Sequence, residues 1–205
     1  MRVAALYDVH GMPWALEAVL AILDADAIVF GGDWFYGPYE EETYARILAV
    51  ENATLIRGNA ENDDARTAAL PLSVELDGVV YCHATPADNL RATTAITPDA
   101  DVVEMFGDHG TFVIGHTHHQ FDRRIGELRV ANAGSVGMPY ESDVAAYWLL
   151  VEDGEPRFMR TAFDVAHAVD RVRASEWPQR DEFVAENLLV APDRDEAIAA
   201  LEGRR

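Results

Sequence analysis

Apolar residues first fall in short runs along this chain and later in helical stripes. Residues 3–7 form a compact apolar run that stops at Asp8, which predicts a buried strand. Pro13 stands where a first helical turn begins, and Leu16, Val19, Leu20 and Leu23 follow at helical spacing. A second buried strand is predicted over 27–30, closed by Gly31-Gly32-Asp33. Residues 40–50 read as a helix, and 54–57 as a third strand that ends at Gly58-Asn59. Strand–helix alternation of this kind predicts an α/β layered fold.

The pattern then changes. Residues 72–76 and 79–82 read as a hairpin around Asp77-Gly78, a pair that favours a tight two-residue turn. Further strands are predicted over 112–114, 128–131 and 144–151, with Phe158 on another after the Asp153-Gly154 turn. Two packed sheets flanked by helices accommodate both halves. From Asp164 the stripe Val165, Ala168, Val169 and Val172 is helical, Phe183, Leu188 and Leu189 belong to a second helix, and a third runs over 194–201 with Asp193 as its N-cap. The expectation is a domain over 1–163 and a helical extension over 164–205. That extension packs on the core or on a second subunit, the latter making a homo-oligomer.

Charge narrows the chemistry. The net charge is -20, and all 16 basic residues are arginine. Without lysine, Schiff-base and P-loop lysine mechanisms are excluded. A nucleic-acid polymer is an unfavourable partner, because its groove needs clustered cations. An acidic protein acting on an anionic substrate needs a local positive charge, which bound metal ions supply. Cys82 is the single cysteine. No intramolecular disulfide, no apolar run of membrane-spanning length and no signal-like N-terminus together predict a cytoplasmic protein without a membrane partner.

Five of the predicted strands end in metal-competent side chains. They are Asp8-Val9-His10, Gly32-Asp33, Gly58-Asn59, His83 after 79–82, and Gly115-His116-Thr117-His118. Layered α/β folds bind ligands outside the carboxyl ends of their strands. Each element alone is weak; a strand-end histidine or a Gly-Asp turn is common in ordinary structure. Together, two Asp, one Asn and four His are too many donors for one four-coordinate ion and suit two ions sharing a carboxylate. No cysteine is among them, unlike a structural zinc finger.

In their order these motifs resemble the calcineurin-like metallophosphoesterases, and within them the small prokaryotic predicted phosphodiesterases. Three further stretches carry the likeness over about residues 2–160: Phe35-Tyr36-Gly37-Pro38, His83-Ala84-Thr85-Pro86 and Asn132-Ala133-Gly134-Ser135-Val136-Gly137. The resemblance implies a four-layer αββα fold of two mixed sheets. It implies one ion on Asp8, His10, Asp33 and His118 and another on Asp33, Asn59, His83 and His116, with Asp33 bridging. Mn²⁺ is the expected ion, with Fe and Zn²⁺ as alternatives. It also implies hydrolysis of small phosphodiesters, nucleotides among them, by a metal-bridging hydroxide, with Asp33, Asn59, His83 and His116 as catalytic residues. Phosphomonoesterase or protein phosphatase activity and a non-catalytic scaffold on the same fold are the alternatives.

One position departs from the family pattern. Ala60 replaces the histidine of Gly-Asn-His, which contacts phosphate and assists the leaving group. Glu61, Asp63, His109 and His119 are candidates to replace it. Arg57, Asn132 and Ser135 are candidate substrate-binding residues, Arg57 by bidentate contact with phosphate. The aromatic cluster Trp34, Phe35, Tyr36 and Tyr39 is either core, a dimer surface or a wall that stacks a nucleobase. Arg123 and Arg124 read as a solvated pair.

Overall fold

The computed structural model describes residues 1–203. Two mixed five-stranded sheets face each other. In the first, β1 (Arg2–Leu6), β2 (Ala27–Phe30) and β3 (Ala53–Leu55) run parallel, and β9 (Ala146–Glu152) and β10 (Glu155–Thr161) continue it as an antiparallel hairpin beside β1. In the second, the order is β4 (Ser73–Leu76), β5 (Val79–Cys82), β6 (His109–Ile114), β8 (Glu127–Ala133) and β7 (Gln120–Ile125). Its three middle strands are parallel, and β4 and β7 are antiparallel edges.

The alternation of side chains along each strand sorts the core into layers. Val3 and Ala5 of β1, and Tyr7 just after it, point between the sheets, where they meet Val79, Tyr81, Val113 and Ala131. Ala4 and Leu6 point the other way, onto α1 (Pro13–Leu20) and α4 (Val165–Ala174), through Leu16, Val19, Ala168 and Val172. Phe112 and Ile114 of β6 likewise face α3 (Asp99–Phe106), through Val102 and Phe106. The result is four layers, α, β, β, α. The C-terminal segment joins the first helical layer: Phe183 ends α5 (Arg180–Phe183), and Val184 and Leu188 lie on the π-helical turn Val184–Leu188, all within the cluster that holds Leu6. The last helix, α6 (Arg194–Glu202), starts at Asp193, whose carboxylate accepts the Glu196 N–H at 2.9 Å.

Some elements escape the sequence pattern. Helix α3 buries only Val102 and Phe106 over its eight residues, too few turns to show a stripe. Strand β7 carries one buried apolar residue, Phe121, in an otherwise largely polar run, as an edge strand does. The strand expected over 54–57 leaves the sheet after Leu55. Ile56 N–H still bonds the Phe30 carbonyl at 2.9 Å, and the chain then turns so that Gly58 reaches Asp33. Arg123 is not solvated: its guanidinium bonds the Thr94 and Thr97 carbonyls and Asp99. No helix among the described residues is long and apolar enough to cross a membrane.

Candidate metal centre

Parallel strands bring their carboxyl ends to one edge. Asp8 and His10 follow β1, Asp33 follows β2, Asn59 follows β3, His83 follows β5, and His116 and His118 follow β6. The sandwich therefore collects all seven side chains at one rim, as the strand-end reading expects. Five of them sit on strained backbone. Asp8, His10, Asp33, His116 and His118 have φ of 54°, 47°, 55°, 67° and 59°, a region non-glycine residues seldom enter and that costs roughly 1–3 kcal/mol each. Two glycines permit the approach. A Cβ on Gly58 would lie 2.2 Å from Asp33 Oδ1, and one on Gly115 would lie 2.6 Å from Asp8 Oδ2.

The side chains form two facing sets. Asp8, His10 and His118 have ligand atoms within 4.8 Å of one another, as do Asp33, His83 and His116. Each imidazole is oriented by a backbone carbonyl, which only accepts hydrogen bonds, so the facing ring nitrogen must carry a hydrogen. His10 Nδ1 donates to Phe35 O (2.9 Å), His83 Nδ1 to Gly31 O (2.9 Å), His118 Nδ1 to Met138 O (2.7 Å) and His116 Nε2 to Leu90 O (2.9 Å). In the neutral rings the other nitrogen is a bare lone pair. These lone pairs converge: His10 Nε2 and His118 Nε2 are 3.1 Å apart, and His83 Nε2 is 3.2 Å from His116 Nδ1 and 3.0 Å from Asn59 Oδ1. Acceptors at such distances repel unless a cation lies among them. Asp8 Oδ1, fully buried, has no hydrogen-bond partner and lies 3.3 Å from His118 Nε2. The donor set and this orphan oxygen both fit divalent metal ions.

Asp33 stands between the sets. Its Oδ2 is 3.9 Å from His10 Nε2 and its Oδ1 is 3.5 Å from His83 Nε2. The charges shape the titration of the metal-free site. Burial pushes the Asp8 carboxyl up, but His118, together with His83 and His10, outweighs it and holds the group at about 2. Burial pulls the His83 and His118 imidazoles down, yet Asp33 at the first and Asp8 at the second hold both above their ordinary value. His116 is pushed down to about 4 by burial and by His83, and His10 is lowered by burial and by His118.

Several expected residues have other work. Glu61 does not replace the missing histidine at the groove. It is fully buried, and its carboxylate accepts four backbone N–H groups, from Asp33 (2.7 Å), Gly58 (2.9 Å), Trp34 (3.0 Å) and Phe35 (3.2 Å). The side chains of Asn132 and Ser135, expected at the substrate, bond within the protein. Asn132 Nδ2 donates to Gly115 O and Thr117 Oγ1, and its Oδ1 accepts from Gly134 N–H. Ser135 Oγ donates to Asp8 O and accepts from Met138 N–H. Both residues are fully buried and brace the ligand loops. Arg57 donates to the Ala68 carbonyl at 3.2 Å, tying down the 59–71 loop. His109 begins β6, at the far end from His116, and pairs with Asp108 in solvent. His119 is buried, with Nδ1 donating to Thr117 O and Nε2 accepting from Ala95 N–H.

A groove of about 440 Å³ opens at this cluster, lined by His10, Asp33, Tyr36, Asn59, Ala60 and Arg66 among others. Asp63 also lines it. Arg66 escapes the sequence reading, because it lies on a loop without period or motif. Its guanidinium lies 5.0 Å over Phe35 and 5.1 Å over Tyr44 and pairs with Asp64 and Glu41. Of the aromatic cluster, Trp34 and Phe35 are core, and Tyr39 donates its hydroxyl to Arg171 O. Tyr36 alone of the four is exposed.

Comparison with known proteins agrees with this geometry. The fold matches a crystal structure of a metallophosphoesterase from Sphaerobacter thermophilus with a TM-score of 0.77 at 20% identity, over 93% of this chain and 100% of that one. A hypothetical protein from Pyrococcus horikoshii OT3 matches with a TM-score of 0.70 at 16% identity, over 89% and 97%. The phosphoesterase Yfce from E. coli matches with a TM-score of 0.54 at 19% identity, over 80% and 100%. No curated protein matches the sequence. Residues 1–154 match the calcineurin-like phosphoesterase superfamily domain. With three quarters of its length matched and a metal-competent ligand set on the matching fold, the chain belongs to the calcineurin-like phosphoesterase superfamily.

Proposed function

We propose that this chain is a hydrolase that uses two divalent ions to cleave small phosphodiesters, nucleotide esters among them. The observation that carries this reading is the convergence on two points, with Asp33 between them, of the ring nitrogens not committed to a backbone carbonyl. Asp8, His10 and His118 would hold one ion, Asn59, His83 and His116 the other, and Asp33 both. Mn²⁺ is the ion proposed, ahead of Fe and Zn²⁺, all of which suit His/Asp/Asn donors. When bound, such a pair lowers the pKa of a water and neutralises phosphoryl oxygens.

The chain's own residues do the rest. The carbonyls of Phe35, Gly31, Met138 and Leu90 hold the four imidazoles in the tautomer that faces inward. Ala60 N–H donates to Asp33 Oδ1 at 2.8 Å and fixes the carboxylate between the two sets. The Ala60 methyl lines the groove where the family pattern has an imidazole, so no proton donor stands there for a poor leaving group. That supports a diester over an alkyl monoester. Five of the proposed ligand residues at positive φ support a site built to hold metal, since such strain persists where a site requires it. A cytoplasmic setting belongs to this reading, in keeping with one buried free cysteine, Cys82.

The test is metal analysis of the purified protein beside a substrate panel. Two ions per chain and faster hydrolysis of bis-p-nitrophenyl phosphate than of p-nitrophenyl phosphate or a phosphopeptide are expected. A preference for monoesters would replace the diesterase reading with a phosphatase. Metal-bound protein inert on every ester would favour a scaffold.

A further inference from the structure

Tyr36 is 57% exposed although its neighbours Trp34 and Phe35 are buried, and its φ is 64°. Its N–H and that of Gly37 both donate to Glu40 Oε1, which pins the strained loop. The ring stands edge-on to His10 at 6.2 Å on one side and edge-on to Trp177 at 6.4 Å on the other. Tyr36 thus lines two grooves, the one at the candidate metal centre and a second of about 280 Å³. Trp177, Tyr140 and Met138 wall the second groove, and the polar side chains of Gln179 and Glu182 edge it. Tyr140 also stacks on His118 at 5.1 Å. A continuous set of rings therefore leads from two ligand histidines to Trp177, which lies beyond the 1–154 match to the superfamily domain.

We propose that this second groove is the subsite for the base of a nucleoside phosphodiester; the proposal rests on the phosphodiesterase reading above. Its volume of about 280 Å³ falls just below that of whole small-molecule sites, roughly 300 Å³ and upward, and suits a fragment of a substrate whose phosphate sits at the metals. Its walls offer aromatic faces, which bind any base by stacking. The edge is selective. Glu182 repels a second phosphate and accepts from an exocyclic amine, and the Gln179 amide both donates and accepts. A plain alkyl chain would use neither. A base combines a flat apolar face with a hydrogen-bonding edge, and the groove offers partners for both.

The experiment holds the reacting phosphorus and the leaving group constant. Adenosine 5′-(p-nitrophenyl phosphate) is compared with methyl p-nitrophenyl phosphate in Mn²⁺ buffer. The native protein should favour the nucleoside ester in kcat/KM by about 5- to 100-fold, the range of one stacked base. Tyr36→Ala and Trp177→Ala should each reduce that ratio at least about 5-fold, mainly through KM. A native ratio near one, or variants that lose both esters in equal measure, overturns the subsite. Adenosine alone tests it without hydrolysis. Trp14, Trp34 and Trp148 are buried, so saturable quenching of tryptophan emission by adenosine should report Trp177 and vanish in Trp177→Phe. Absence of that quenching overturns the subsite. Quenching in a protein that hydrolyses no ester supports base binding while refuting the phosphodiesterase reading.

Discussion

His10 Nε2 and His118 Nε2 stand 3.1 Å apart, and neither carries a hydrogen in the neutral ring, because each Nδ1–H is committed to a carbonyl, of Phe35 and of Met138. His83 and His116 repeat the relationship in the second set. Such contacts between lone pairs are unfavourable in the neutral site until protons or metal cations fill them. Chelation should therefore lower Tm. At free Mn²⁺ about 100-fold above Kd, one site contributes about 2.7 kcal/mol. For a chain of this size that is a Tm rise of roughly 5–10 °C. Calorimetry in chelator and in Mn²⁺ checks this, and coincident transitions would refute metal binding at these nitrogens.

Asp33 is the carboxylate that faces both sets. Asp33→Asn keeps an oxygen for the Ala60 N–H but removes the shared negative charge. Hydrolysis of a model diester should fall by at least about 10²-fold, comparable to losing a main electrostatic element. The metal-free Tm should move by only a few degrees. Near-native activity would show that the two halves do not share this group.

The site should bind metal less well in mild acid. In the metal-free protein His83 and His118 lie above the ordinary imidazole value, held there by Asp33 and Asp8 against the pull of burial. A raised folded-state value stabilises the metal-free fold below the unfolded value, and that contribution is lost as pH rises through the folded one. His10 and His116, which is at about 4, are lowered; their contribution is present above the unfolded value and lost as pH falls through the folded one. Going from about pH 7.5 to about pH 6, across the ordinary value near 6.5, protons therefore compete with metal chiefly at His83 and His118. The Mn²⁺-induced rise in Tm should shrink over that interval and recover with excess Mn²⁺. An equal rise at both ends would exclude histidine ligation.

Glu61 holds the loop that carries Asp33. Burial, with the Asp33 charge second, pushes its carboxyl up to about 7, while the backbone N–H groups of Asp33 and Phe35 pull it down. Glu61→Ala leaves four N–H groups without their acceptor, each worth about 1–3 kcal/mol when left buried and unpaired. Relaxation of the loop recovers part of this, so a loss of at least about 3 kcal/mol is expected, or roughly 6–12 °C in Tm. Urea unfolding of the metal-free variant measures it. A midpoint within error of the native protein would mean the loop holds its shape without Glu61.

The layered fold was legible because β1, β2 and β5 are short apolar runs ended by Gly, Asp or His, and that punctuation survives in three dimensions. The convergence of the seven candidate side chains is legible for the same reason: strand ends are sequence features. The internal bonds of Asn132, Ser135 and Arg57 are not legible, because sequence shows a polar side chain but not what its atoms bond. Asn132 and Ser135 spend their hydrogen bonds on the loops of His116 and Asp8. Glu61 differs from them only in reach, since its carboxylate spans both the 33–35 and the 58 loops. Arg66 and Trp177 approach the site through tertiary packing from segments with no motif, so no local pattern marks them.

The chemistry at Ala60 is the sharpest point on which this chain departs from its family. Ala60 lines the groove beside Asp33 and Asn59, and its N–H already serves Asp33, so a change of side chain leaves the backbone contact in place. An imidazole there would reach into the groove and offer a proton to a departing oxygen. General acid assistance is typically worth about 10²–10⁴-fold. An alkyl phosphomonoester, whose leaving oxygen develops the most charge, should gain the most from Ala60→His, by at least about tenfold in kcat after allowing for imperfect placement. Bis-p-nitrophenyl phosphate, whose leaving group needs no proton, should change by less than about threefold. Paired rates on glycerol phosphate and the nitrophenyl diester, with metal content measured on the same preparations, decide the matter. A variant with full metal content and an unchanged monoester rate would show that something other than a missing acid sets the substrate class.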